Sequence, residues 1–127
     1  MKPEQKFYQR FARALPKCDI TRVENIMESG MPDVNVCYMG MEVWVELKVF
    51  VEGRVLIRPA QNAWGHRRSF HGGRVLIIAE YPCGDVFVGQ FPEINVIAYQ
   101  KYLSVTNLVP FTDVRDIFKY VFPDVNK

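Results

Sequence analysis

Residues 34–49 carry the pattern that most limits how this chain can fold. Val34, Val36 and Tyr38 alternate with Asn35 and Cys37. After Met39-Gly40-Met41, which permits a turn, Val43, Val45, Leu47 and Val49 point one way while Trp44, Glu46 and Lys48 share the other face. A period of two over both segments predicts a pair of adjacent strands with one face committed to a core. The opposite face bears a carboxylate and an ammonium beside a tryptophan. If that face is partly covered, the two charges need compensation for lost hydration from a metal, a charge partner or nucleic acid.

The flanking segments predict helices and further strands around this pair. Phe7, Phe11 and Leu15, helped by Tyr8 and Ala14, form an apolar stripe on a helix from Pro3 to Leu15 that Pro16 stops; Lys6, Arg10, Arg13 and Lys17 are left for the surface. Residues 18–31 give no clear periodicity. Glu52-Gly53 supplies a turn, and Val55-Leu56-Ile57 is read as continuing the sheet. Pro59 then opens a helix over Ala60–Phe70 with Gln61, Trp64 and Arg68 near one face, closed by His71-Gly72-Gly73. Strands are expected at Arg74–Tyr81 and Asp85–Phe91, a helix through residues 93–103, and another over Asp113–Phe122 capped by Thr112 and ended by Pro123. The fold class is α/β, a small central mixed sheet flanked by helices.

A length of 127 residues suits one compact domain over the whole chain. With 49% hydrophobic and 24% charged residues, it has the composition of a folded protein rather than a disordered one. No apolar run approaches the roughly 20 residues that cross a bilayer, and MKPEQKFYQRF has no secretory core, so a cytosolic location and no membrane partner are expected. Cys18, Cys37 and Cys83 are too scattered for a zinc pattern and are read as reduced thiols.

The net charge is only +2, but its distribution is uneven. Residues 1–22 hold six Lys or Arg against two acids, and residues 54–74 hold five Arg and two His with no acid. Between them, residues 24–52 hold six acids against Lys48 alone. Basic flanks around an acidic centre can grip a phosphate backbone while concentrating a divalent cation; two solvated faces are the plainer reading. On adjacent strands Asp33 approaches Glu46, and Lys48 projects beside Glu46 about 7 Å along the strand. Two carboxylates can hold Mg²⁺ or Mn²⁺, and a lysine can orient water and offset developing phosphate charge. Two acids and a lysine can also be an ordinary surface ion network.

At these residues the chain resembles the PD-(D/E)XK nuclease superfamily, especially its VRR-NUC-like phage proteins. The matching words, in family order, are Arg22-Val23-Glu24-Asn25, Gly30-Met31-Pro32-Asp33-Val34, Trp44-Val45-Glu46-Leu47-Lys48, Gln61-Asn62-Ala63-Trp64 and Gly72-Gly73-Arg74, within residues 4–80. The resemblance implies a restriction-endonuclease-like core. Asp33 and Glu46 become metal-binding acids, Lys48 the catalytic lysine, Glu24 an upstream metal-site acid, and Gln61 a helical support for the site or the scissile phosphate. Glu4, at the start of the first helix, competes with Glu24. Arg58, Arg67, Arg68 and Arg74 are candidate phosphate contacts, as a solvated basic face is their alternative; Trp64 reads as packing. Gly65 separates Trp64 from His66 and breaks the family's tryptophan–histidine step, which leaves His66 a surface or phosphate-contacting residue.

The implied function is a Mg²⁺-dependent DNA endonuclease, with Mn²⁺ able to substitute, acting in the cytoplasm of a phage-infected bacterial host. Junctions and flaps are candidate substrates, and a homodimer would set two sites against two strands. A nucleic-acid-binding accessory protein without efficient cleavage, and a purely structural phage protein, are the competing classes.

Overall fold

A computed structural model describes residues 2–23, 30–111 and 113–123. The elements in chain order are α1 (Pro3–Arg13), β1 (Asp19–Arg22), β2 (Val34–Tyr38), β3 (Met41–Val49), β4 (Val55–Ile57), α2 (Pro59–Phe70), β5 (Val75–Glu80), β6 (Val86–Gln90), β7 (Asn95–Tyr99), β8 (Tyr102–Thr106), β9 (Val109–Phe111), a 3₁₀ turn (Val114–Asp116) and α3 (Ile117–Val121). A six-stranded mixed sheet runs β1-β2-β3-β5-β6-β9, and a three-stranded sheet runs β4-β8-β7.

The large sheet is built around β3 and β5, its parallel pair, with Glu46 beside Ile77 and Lys48 beside Ala79. Parallel neighbours need a crossover, which β4 and α2 supply. β5 is buried at all six positions, as its continuous apolar run requires of a strand covered on both faces. On one face Phe7, Phe11 and Leu15 bury their side chains against Val45, Leu47, Leu76 and Ile78, joined by Ile117, Val121 and Phe122 from the chain's end. On the other, Trp64 of α2 packs with Val75, Ile77 and Ala79, and the small sheet adds Val55, Ile57 and Val105. Each of the larger aliphatic and Phe side chains contributes about 1.5–3 kcal/mol when fully buried, so α1 and α2 hold the sheet from its two faces.

The strands differ from the sequence pattern in three places. The unassigned stretch after Cys18 contains β1, an edge strand antiparallel to β2. β4 does not continue the large sheet: both edges of β3 are occupied, by β2 and β5, and the turn at Glu52-Gly53, where both residues have positive φ, sends the chain to pair with β8 instead. Residues 93–103 are not a helix but most of a hairpin, β7 with β8, turning at Gln100-Lys101 with Gln100 at φ 53°. Val96, Ile97, Tyr99 and Tyr102 favour a pleated surface over a helix. Asn107 closes the open end, accepting from the Asn95 amide (2.7 Å) and donating to Glu93 O (2.9 Å).

The final helix is shorter than Asp113–Phe122, because Asp113 accepts from the Arg115 amide (2.8 Å) and winds a 3₁₀ turn first. Thr112, the expected cap, lies outside the described residues. The three cysteines are free thiols. Gly65 has a packing reason: a Cβ there would sit 2.5 Å from the Phe91 ring, which His66 also meets edge-on with centroids 5.0 Å apart.

Gly30 joins the loop before Asp33 to the start of α2. It sits at φ +85°, and a Cβ there would fall 2.1 Å from Ala60 O, a backbone atom that cannot swing aside. Left-handed geometry costs an L residue about 1–2 kcal/mol and overpacking about 1–3 kcal/mol. Gly30→Ala should therefore lower stability by about 2 kcal/mol or more in urea unfolding; a loss under about 0.5 kcal/mol would show that the loop and helix are not in this close approach.

Candidate active site

The β2–β3 register builds the site. Val34 pairs with Val45, so continuing the antiparallel ladder by one step sets Asp33 opposite Glu46. The Leu47 amide donates to Asp33 Oδ1 (3.1 Å), and the Val23 amide donates to Asp33 O (2.7 Å), fixing this residue from strands on both sides. Glu46 is buried, with 9% of its surface exposed. Lys48 Nζ lies 3.8 Å from Glu46 Oε2 and donates to Gln61 Oε1 (3.4 Å). Gln61, itself buried, also accepts from the Arg58 amide (2.8 Å), so the first turn of α2 is tied to the lysine of β3.

Burial and mutual repulsion dominate the electrostatics. Loss of hydration, then the negative charge of Asp33, push the Glu46 carboxyl up to about 8, while Lys48 and Arg58 oppose the rise. Loss of hydration pushes Asp33 up to about 6 against the Leu47 hydrogen bond and the charge of Lys48. Glu4 raises both, which places its charge within electrostatic reach of the pair. The cluster is short of positive charge.

Among the described residues, no group of three or more His, Cys, Asp or Glu forms a metal cluster. Glu24 lies outside the described residues. The donors present nevertheless fit a hard cation: both are carboxylates, and Mg²⁺ is commonly held by one or two carboxylates together with water and substrate phosphate. A divalent ion held by Asp33 and Glu46 would supply the missing charge and Lewis acidity toward a phosphoryl oxygen.

The remaining candidates are spread out. Trp64 is 1% exposed and meets Trp44 edge-on with centroids 5.7 Å apart, a packing role. Arg68 stacks over Trp64 at 4.7 Å, and Arg74, just before β5, donates to Val121 O on the face that α1 covers. Arg67 is exposed on α2, and exposed Arg58 is near enough for its charge to lower the Glu46 carboxyl. Sequence reasoning missed Glu80, buried at the end of the apolar β5 run and bound to Arg10 of α1 through both Arg10 Nε (3.2 Å) and Nη2. A charge closing a strand of five apolar residues was the signal available.

No protein-family model matches this sequence, and no curated protein matches it. Among solved structures the chain is similar to Hjc, a Holliday junction resolvase from the archaeal hyperthermophile Archaeoglobus fulgidus. The TM-score is 0.64 at 10% identity, over 89% of this chain and 98% of that one. At that identity the likeness is one of fold. It agrees with the α/β architecture of a mixed sheet between helices.

The raised carboxyls fix the sign of a pH effect. Between the ordinary glutamate value of 4.5 and about 8, the metal-free folded chain holds a proton on Glu46 that the unfolded chain has lost. Stability therefore falls as pH rises through that window. Thermal unfolding in EDTA should show a melting temperature that declines from pH 5 to pH 8, and Glu46→Gln should flatten the decline. Equal pH slopes in both proteins would mean that Glu46 is not held in this state.

Proposed function

We propose that this chain is a DNA endonuclease that hydrolyses phosphodiesters with Mg²⁺, with Mn²⁺ able to substitute. The observation that carries the reading is the placement of Asp33 beside Glu46, one step beyond the β2–β3 ladder and held by the Leu47 amide, with Lys48 on the same face as Glu46, in a fold shared with a Holliday junction resolvase. In this reading Asp33 and Glu46 hold the cation, and Glu24 or Glu4 completes the acidic set. Gln61 holds the Lys48 ammonium in place, where it orients water and offsets charge developing on the phosphate. Arg58, Arg67 and Arg68 supply positive charge on and beside α2 for the DNA backbone, with Arg74, just before β5, as a further contact.

Branched or flapped DNA is the proposed substrate, supported by the junction-resolving activity of the structural relative. A homodimer would present two sites to two strands. The VRR-NUC-like motif words support placement among phage proteins acting in the host cytoplasm. Among the described residues, no helix is long and apolar enough to cross a membrane. The exposed arginines of α2 and its first turn, which serve binding without cleavage equally well, favour one second reading, a DNA-binding accessory protein without efficient cleavage.

Single-turnover cleavage of duplex, flap and four-way-junction DNA separates the two. Asp33→Asn and Glu46→Gln should each slow metal-dependent cleavage by about 100-fold or more with the fold intact by circular dichroism. Lys48→Met should lose rate at saturating DNA while keeping its affinity by anisotropy. DNA binding without metal-dependent cleavage by the wild-type chain would leave the accessory reading in its place.

A further inference from the structure

Beyond Lys48, the strand carries one more residue on the same face. The Phe50 amide still donates to Glu80 O (3.1 Å), so strand-like pairing persists and Phe50 follows Trp44, Glu46 and Lys48 in the alternation, about 7 Å past the lysine. Its ring stacks on Tyr81 with centroids 3.7 Å apart and planes at 10°, and Phe87 meets both rings edge-on. Phe50 and Tyr81 are half-buried and border a cleft of about 330 Å³ at the end of the β3–β5 pair, where α1 crosses it; Val49 and Glu80 of the sheet and Pro3, Lys6 and Arg10 of α1 are among its other walls. The cleft adjoins the acidic site through two chain links: Pro3 precedes Glu4, whose charge acts on Asp33 and Glu46, and Phe50 follows Lys48 by two residues.

We infer that this cleft takes an unpaired nucleobase of the DNA beside the cleavage point, stacked on the Phe50–Tyr81 pair with its phosphate on Lys6. The inference rests on the DNA-cleaving reading and specifies which feature of the substrate that site recognises. The chemistry selects the ligand. Each ring of the stack has one face taken by the other and one outer face left for the π-face of any base, whereas the Arg10 guanidinium is already bound to buried Glu80, leaving exposed Lys6 as the cleft's freer cation. A cleft dominated by phosphate recognition would not pair its arginine with a buried acid. A base within a duplex is stacked on both faces and cannot enter; an unpaired base at a flap or branch can.

The test places 2-aminopurine at successive unpaired positions around the branch of a flap substrate, and at matching duplex positions, with the full chain and Ca²⁺ in place of Mg²⁺ to block cleavage. Binding should quench emission at one unpaired position and at no duplex position. Phe50→Leu and Tyr81→Leu should remove that quench and weaken flap binding about tenfold more than duplex binding. Lys6→Gln should lower the salt dependence of single-strand binding by about 0.7. Wild-type binding without position-specific quenching overturns the inference, whether or not the variants fold, and so does an unchanged quench in both folded variants. Position-specific quenching in a chain that fails to cut in Mg²⁺ keeps the cleft and sinks the nuclease reading. Cutting without such quenching does the reverse.

Discussion

The antiparallel register of β2 on β3 sets two carboxylates against each other where water is scarce, and much of the molecule is arranged around that conflict. Asp33 and Glu46 each raise the energy of the other's ionised form, and burial raises both further. Lys48, at 3.8 Å, is the nearest relief among the paired groups, and it is shared with Gln61. An isolated folded chain gains nothing from this arrangement. The rest of the structure holds it in place: β5 flanks β3 on one side, β2 flanks it on the other, and apolar layers cover both faces.

Legibility in the sequence followed the strength of the local signal. The β2–β3 pair could be read residue by residue because alternation with period two leaves a single solution for which side chains share a face. α1 and α2 were equally plain from Phe7, Phe11 and Leu15 and from Pro59 onward. The hairpin at Asn95–Thr106 was not. Its turn uses Gln100 in a left-handed conformation in place of a glycine, so the usual punctuation was missing and the segment passed for a helix. β4 had a readable strand pattern, but its partner was decided by which edges were already taken, and that partner, β8, lies 46–50 residues away.

The candidate site shows the same division. Asp33, Glu46 and Lys48 could be named from strand alternation, and Gln61 through the resemblance of Gln61-Asn62-Ala63-Trp64 to the nuclease superfamily. The influence of Glu4 depends on how α1 lies across the sheet, and the Arg10–Glu80 contact joins residues 70 apart. The aromatic stack of Phe50 with Tyr81 likewise joins the ends of two parallel strands, a neighbourhood set by topology alone.

The most direct measurement of the central claim is calorimetric titration of Mn²⁺ into the metal-free chain at pH 7, in two buffers of different ionisation enthalpy. With Glu46 held near 8, a cation entering between Asp33 and Glu46 has to displace a proton. The account predicts one Mn²⁺ bound per chain with release approaching one proton, and loss of both on Glu46→Gln. Mn²⁺ that binds equally well to that variant, or binds the wild-type chain without releasing a proton, would contradict it.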